Sequence, residues 1–355
     1  MIHLLKTTAV LAVVALALIA NPLTSSAAAR TIGGVACVEP SPVHCDGVCS
    51  REQLADQGNA VEPKTGRKFF LDYPCDLKDN EQVVFILSLH GAGAIGNWHR
   101  HYFPALDYVS RYRLVVATPT AAGSGEITPG QRGVRMWIAD SDDTYLHNIV
   151  DFVLKEVGRQ NIKSFWLAGH SQGGMTSNRL VCTEYFRDKV DGWLSLSGGR
   201  IGAARIAPDF FGPNGPPAAL QSTNPDAPRP GFGAMPSCDI SYIFESGDQE
   251  ITALPATSPL AEKYHCGPRV RLPDIVDEKK GYVTGATPGR PASWGREARP
   301  GTAQAYEYPK CKDGRIVADV LRLDKGHTEG LEPRVTEALI KMMAASPGGK
   351  AKKNE

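Results

Sequence analysis

The segment Gly169-His170-Ser171-Gln172-Gly173 constrains this chain more than any other part of it. An apolar run, Phe165-Trp166-Leu167-Ala168, leads into it, and a helix-compatible stretch from Met175 to Tyr185 follows. Gly-x-Ser-x-Gly between a strand and a helix is the signature of a nucleophile elbow. The turn is so tight that the residues two before and two after the serine must be small. It lifts the serine oxygen above the sheet edge and sets it at the positive end of the next helix. A bare pentapeptide of this kind is common in loops, and the strand-turn-helix context is what gives it weight.

The segment before residue 30 reads as a targeting sequence, not as fold. Lys6 is the lone early charge, an apolar run from Thr8 to Ala20 follows, Pro22 breaks it, and Ser25-Ser26-Ala27-Ala28-Ala29 offers small-x-small cleavage sites. A secretory signal peptide over 1–29, cut after Ala28 or Ala29, is the expectation. The alternative is an uncleaved anchor, for which the apolar core is short against a span of about 20 residues. Eight cysteines, an even number, agree with export to an oxidising compartment. Four fall early, at Cys37, Cys45, Cys49 and Cys75, and four late, at Cys182, Cys238, Cys266 and Cys311. His44-Cys45 with Cys49 suggests a metal site as an alternative, but disulfides are the expectation in an exported chain. A net charge of +1 without a strong basic or acidic block argues against nucleic acid or an anionic membrane as the main partner.

Four regions follow: 1–29 as the signal, 30–62 as a loop-rich cysteine-containing extension, 63–345 as one catalytic domain, and 346–355 as a polar, disordered tail. Within the domain, Lys68 to Tyr73 reads as an edge strand. Val83 to Leu89 is a continuous apolar run and so a strand buried on both faces. Arg113 to Thr118, Ser164 to Ala168, Val190 to Ser195, Ile240 to Phe244 and Ile316 to Leu323 complete the strands. Asp143 to Val157, Met175 to Arg187 and Glu332 to Ala345 have helical patterns. Strands alternating with helices imply a mostly parallel sheet covered on both faces. Two Pro- and Gly-rich stretches, 202–237 and 267–301, interrupt this rhythm and are expected either to overhang the site or to be plain exposed insertions.

A hydroxyl needs a base to attack an ester at neutral pH, and the base needs an acid to orient it. With an elbow serine the chain order is serine, acid, histidine. The expected base is His327, in Asp324-Lys325-Gly326-His327 directly after a strand; His265 is its rival. The expected acid is Asp248, at the end of Tyr242-Ile243-Phe244-Glu245-Ser246-Gly247-Asp248, with Glu245 and Glu250 as close rivals. Two backbone amides must hold the oxyanion: that of Gln172, and that of Ala92 in Leu89-His90-Gly91-Ala92-Gly93, with Gly91 as its alternative. His90 is expected to brace this loop. His90, Trp98, Trp137, His170 and Trp294 are candidate pocket residues. Asp140, Asp142 and Asp143 are read as helix-capping rather than cation-binding. No metal centre is expected from His99 and His101, which lack a third ligand at useful spacing, and the chemistry calls for no cofactor.

These residues together resemble the secreted α/β-hydrolases related to poly(3-hydroxybutyrate) depolymerases and feruloyl esterases. The resemblance rests on Leu89-His90-Gly91, Gly169-x-Ser171-x-Gly173-Gly174-Met175 and Gly326-His327. Smaller signposts are Thr65-Gly66-Arg67, Cys182-Thr183-Glu184-Tyr185-Phe186, Lys263-Tyr264-His265-Cys266-Gly267 and Tyr308-Pro309-Lys310-Cys311-Lys312-Asp313-Gly314. It spans roughly Gly66 to Ala344 and implies a disulfide-stapled α/β-hydrolase fold that cleaves carboxylic esters, small or polymeric, as an exported monomer. It also implies pairing of Cys182 with Cys238 and of Cys266 with Cys311, and leaves the order among the four early cysteines open. A serine peptidase on the same fold and an inactive polymer- or wall-binding protein are the rival readings. The chain departs from the family at His170 and Gln172, where the family often has Leu-Ser-Ala around the nucleophile. It departs again before the acid, where the usual pattern is His-Gly-Thr-Ala-Asp, and after His327, where Thr328-Glu329-Gly330 replaces Trp-Pro.

Overall fold

The computed structural model describes residues 31–37, 45, 48–125, 134–202, 233–286 and 288–353. The targeting sequence expected over 1–29 lies outside them, as does most of the 202–237 stretch. Among the described residues thirteen strands form in chain order: β1 (Ala60–Val61), β2 (Lys68–Asp72), β3 (Val83–Leu89), β4 (Leu114–Pro119), β5 (Ser124–Gly125), β6 (Val134–Arg135), β7 (Ile162–His170), β8 (Gly192–Leu196), β9 (Ser241–Gly247), β10 (Val270–Arg271), β11 (Ile275–Asp277), β12 (Gly301–Glu307) and β13 (Val317–Arg322). β5 and β6 form a separate small ribbon. The main sheet runs β1-β2-β4-β3-β7-β8-β9-β13-β12-β10, with β11 also paired to β12. The run from β4 through β3, β7, β8 and β9 to β13 is parallel, while β1, β2 and β10 to β12 are antiparallel additions at the two edges.

Two faces of this sheet are covered, and the side-chain alternation along β3 shows why. Val83, Phe85, Leu87 and Leu89 point to one cluster, where Tyr145, Leu146, Ile149 and Val153 of α3 (Ala139–Val157) and Leu180 of α4 (Gln172–Leu180) pack on them. Val84 and Ile86 point to the other, with Tyr102 of α1 (Gly96–Tyr102), Val109 of α2 (Val109–Tyr112), and Val335, Leu339, Ile340 and Met343 of α6 (Pro333–Ala345). A short α5 (Pro259–Lys263) follows β9. A central strand buried on both faces must be apolar at every position, so β3 reads as an unbroken hydrophobic run. The parallel core, the antiparallel second strand, the helices on both faces and a serine turn after a central strand make this the α/β-hydrolase fold. Among the described residues no helix is long and apolar enough to cross a membrane.

Four disulfides staple the fold: Cys37–Cys75, Cys45–Cys49, Cys182–Cys238 and Cys266–Cys311. The two late pairs are those the family resemblance implies. Cys45 and Cys49 are bonded to each other, so their sulfurs are not thiolate ligands, although they lie close to His101. The helix after Ser171 is shorter than its sequence pattern. It stops at Leu180, where the Thr183 hydroxyl donates to the Leu180 carbonyl at 2.8 Å, so Cys182 sits just beyond α4 and not within it. The tail also departs from expectation. Residues 346–353 pack back on the domain, with a 3₁₀ turn over Lys350–Lys353 and Ala351 fully buried. The Lys350 amide donates to Asp191 at 3.2 Å and the Lys350 ammonium to the Asp239 carbonyl at 2.5 Å. Polarity alone suggested disorder, but one buried alanine and a few well-placed lysines suffice to dock the segment. Ala351→Asp is expected to lower stability by about 3 kcal/mol in urea unfolding, because it buries an unpaired charge. Lys353→Asp, at an exposed position, should stay within about 0.5 kcal/mol.

Candidate active site

β7 runs up to His170 and α4 starts at Gln172, which leaves Ser171 alone in the turn at φ 52°, ψ −121°. A side chain at this φ is strained and persists only where its surroundings over-determine it. Here the Ser171 amide donates to the Leu196 carbonyl at the end of β8 (2.9 Å), and the Ser171 carbonyl accepts from the Met175 amide (3.0 Å). The two flanking glycines are required by close approach. A Cβ on Gly169 would lie 2.4 Å from the Gly173 backbone, and one on Gly173 would lie 2.2 Å from the Leu89 carbonyl oxygen.

His327 meets this serine from the loop after β13. Its Nε2 lies 2.8 Å from Ser171 Oγ and its Nδ1 lies 2.7 Å from Glu250 Oε2. The second carboxylate oxygen, Oε1, accepts from the Ser197 hydroxyl (2.7 Å) and from the Gly247 amide (2.8 Å). Burial alone would raise the Glu250 carboxyl, but the adjoining His327 and these donors outweigh it, so its pKa lies below the usual glutamate value. The imidazole is fixed through its backbone. The His327 carbonyl accepts from His170 Nε2 (2.8 Å) and the Tyr102 hydroxyl (3.3 Å), and its amide donates to the Ser293 carbonyl (3.0 Å).

The carboxylate on His327 is therefore Glu250, where the sequence reading favoured Asp248. β9 runs on through Gly247, past the Phe244 at which its apolar run ends, and the Asp248 amide still pairs with the Arg322 carbonyl of β13 (2.9 Å). Asp248 is half-exposed, and its carboxylate accepts from Gln249 at 3.3 Å. The chain then turns, with the Glu250 amide on the Gly247 carbonyl (3.2 Å), and swings the Glu250 side chain inward until it is 4% exposed. Gly247 lets this turn dock on the histidine loop, since a Cβ there would sit 2.1 Å from the Lys325 carbonyl oxygen. A signal for Glu250 was present in the sequence. When the glycine of His-Gly-Thr-Ala-Asp is aligned on Gly247, the final Asp falls on Glu250. The other rival, Glu245, is fully buried and paired with Arg322 at 2.6 Å. Burial pushes its carboxyl up to about 7.

The loop after β3 approaches the serine from the other side. A Cβ on Gly91 would lie 3.1 Å from Ser171 Cβ. Ala92 is exposed in the following turn. His90 is hydrogen-bonded within this loop and to the segment after β4. Its Nδ1–H donates to the Gly91 carbonyl (2.7 Å) and its Nε2 accepts from the Ala121 amide (3.0 Å), a pairing that selects the neutral ring. Trp137 lies against it. Its indole donates to the His90 carbonyl (2.8 Å), and its own backbone holds the Gln172 carboxamide at both ends (3.1 and 3.0 Å). Trp137 is 5% exposed, so it supports the loop and does not line an open wall. Trp98 and Trp294 are half-buried and flank the centre, 5.7 Å from the His170 ring and 5.4 Å from the His327 ring. Trp294 comes from the 267–301 stretch, which therefore reaches the site. Asp142 accepts from the Ile138 amide at the start of α3 (3.0 Å) and pairs with Arg67, as a structural carboxylate does. His265 is exposed just after α5, its amide donated to the Glu262 carbonyl (3.1 Å).

No protein-family model matches the chain, and no curated protein matches it. Among solved structures it is similar to an acetyl xylan esterase from Aspergillus awamori, at 10% identity and a TM-score of 0.43, covering 78% of this chain and 94% of that one. It is also similar to Est1E from Butyrivibrio proteoclasticus with ferulic acid bound, at 15% identity and a TM-score of 0.32, covering 51% and 75%. An S-formylglutathione hydrolase from Staphylococcus aureus matches at 16% identity and a TM-score of 0.34, covering 53% and 76%. At these identities the similarity carries no residue-by-residue correspondence.

Three histidines around the site, His90, His99 and His170, are fully or nearly fully buried. Burial, the largest cause in each, lowers His90 to about 4, His99 to about 3 and His170 well below the usual histidine value. Each stays neutral in the folded chain at a pH where the unfolded chain, near 6.5, takes up a proton. Acidification from pH 6.5 toward 4 therefore favours unfolding through these groups. Glu245, raised by burial, acts in the opposite sense over part of this range, so a single-site comparison isolates the effect. In His99→Gln, urea-unfolding stability should fall less steeply between pH 6.5 and 4.5 than in the parent chain, by about 1 kcal/mol per pH unit. Parallel curves for the two proteins would contradict it.

Proposed function

We propose that this chain is a serine ester hydrolase that works through an acyl-enzyme. His327 Nε2 takes the proton from Ser171 Oγ as the oxygen attacks the ester carbonyl. The imidazolium that results is stabilised by Glu250, whose charge faces Nδ1. His327 then returns the proton to the departing alcohol and activates the water that releases the acyl group. The amides of Gln172, at the first turn of α4, and of Ala92, in the turn after β3, are the proposed oxyanion donors. The observation that carries the reading is the unbroken chain Ser171–His327–Glu250, at 2.8 and 2.7 Å, ending on a carboxylate whose other oxygen has two donors of its own.

The ester class we propose is that of the feruloyl esterases and polyhydroxybutyrate depolymerases. The sequence motifs quoted above support it, as do the two half-buried tryptophans flanking His327 and His170, which offer flat apolar faces to an acyl or alcohol group. Export with signal cleavage is part of the same proposal and agrees with the four disulfides.

A fluorophosphonate probe should label the protein, and Ser171→Ala should abolish the label. A probe signal that persists in Ser171→Ala would sink the mechanism. Glu250→Gln should lower kcat/KM for p-nitrophenyl acetate by on the order of 10³-fold, whereas Asp248→Asn should stay within about threefold of the parent. The reverse ranking would return the acid role to Asp248. Turnover of methyl ferulate, of polyhydroxybutyrate and of a graded series of p-nitrophenyl acyl esters assigns the acyl group. No turnover of any member would leave a binding protein as the better account.

A further inference from the structure

We infer that Ser197 is a positioning residue for the acid: its hydroxyl, donated to Glu250 Oε1 from the end of β8, sets the carboxylate that orients His327. This rests on the triad reading above and adds a fourth side chain to it.

The argument starts from the backbone. Ser197 sits at φ 49°, in the left-handed region where a side chain is strained and glycine is at ease. Gly198 and Gly199 follow it directly. Its amide donates to the Glu245 carbonyl at 2.7 Å, which extends the β8–β9 ladder by one bond and holds the conformation. From that backbone the Ser197 hydroxyl reaches Glu250 Oε1 at 2.7 Å. Glu250 is 4% exposed, so this donor and the Gly247 amide are what its Oε1 has in place of water. The preceding residue, Leu196, accepts the Ser171 amide. Two consecutive residues at the end of β8 thus grip the nucleophile's backbone and the acid's side chain, and they set the separation that His327 must bridge.

The chemistry follows from charge. The titratable and charged groups around the Glu250–His327 pair include Glu245, Arg322, His170 and Tyr102, whose hydroxyl is also within hydrogen-bond reach of Ser197. Ser197 is the neutral donor that spreads the Glu250 charge away from His327. Without it the carboxylate is freer to rotate and more basic, so it holds a proton on His327 more tightly. Turnover falls, and the acid limb of the pH profile moves to higher pH.

Two variants separate this role from a structural one. Ser197→Ala removes the hydroxyl and keeps the strained Cβ; Ser197→Gly removes the hydroxyl and relieves the strain. Both should lower kcat for p-nitrophenyl acetate by about 10- to 100-fold with KM within about threefold, and both should raise the acid-limb pKa of kcat/KM by about half a unit. Ser197→Gly should melt above Ser197→Ala, which loses the same hydrogen bond and keeps the strain, so equal losses of activity in the two cannot be a loss of fold. In a Glu250→Gln background, Ser197→Gly should cost almost nothing more. Parent-like kcat and pH profile in both variants, recovery of activity in Ser197→Gly alone, or full additivity with Glu250→Gln would each overturn the inference. A Glu250→Gln variant with near-parent turnover would overturn the triad reading itself. Large loss in Glu250→Gln beside a parent-like Ser197→Gly would overturn only the role of Ser197.

Discussion

The guanidinium of Arg322 is the interaction on which the sheet edge carrying Ser171 and His327 depends. It is fully buried at the end of β13, and a buried cation must be matched or it is very costly. Glu245 of β9 meets it at 2.6 Å and Glu332, just before α6, at 3.3 Å; the carbonyl of Glu329 accepts from it at 2.9 Å. Lys325 joins from the same loop, pairing with Glu332 at 2.6 Å, and Glu329 ties the loop to Arg299 at 2.8 Å. The loop carrying His327 has no regular structure of its own. It is held by this network from below and by backbone bonds to Ser293 and Trp294 from the side. Such a network adds little net stability over an apolar core of the same volume, but it permits few alternative arrangements. An imidazole that meets two partners at hydrogen-bond distance needs that restriction.

The rest of the site is assembled from strand ends. β3 ends at the loop with His90 and Ala92, β7 at Ser171, β8 at Ser197, β9 at the Glu250 turn, and β13 at the His327 loop. In a parallel sheet all these ends lie on one edge, which is where side chains from distant parts of the chain can converge. The antiparallel additions serve the same edge. β11 and β12 lead into and out of the stretch that delivers Trp294 and Ser293, so the segment that interrupts the strand-helix rhythm is a wall and a brace for the histidine.

Much of this was legible in the sequence because it follows from local rules. β3 could be bounded at both ends, since a strand buried on both faces is apolar throughout. Ser171 was legible because the elbow demands small neighbours, and His327 because it follows a strong strand after a glycine. The carboxylate that meets His327 was less legible. Three carboxylates lie within six residues, and choosing among them requires knowing where β9 stops and how the next turn folds. β9 runs further than its apolar residues suggest, because its last residues are held by pairing to β13 and not by their own hydrophobicity. Ser197 carries no signal in its neighbourhood at all: a serine before two glycines reads as an ordinary loop.

The sequence by itself determined the alternation of strands and helices, the serine turn after β7, the histidine after β13 and the even cysteine count, because each depends on residue types close together in the chain. Only the tertiary structure decided which carboxylate meets His327, how the early cysteines pair, that residues 346–353 dock, and that Trp294 reaches the site. These depend on which strand ends share an edge and on turns whose course is set by the neighbours they pack against. The Ser171–His327–Glu250 chain joins residues 77 to 156 positions apart, and at that separation proximity is a property of the fold and not of any local pattern.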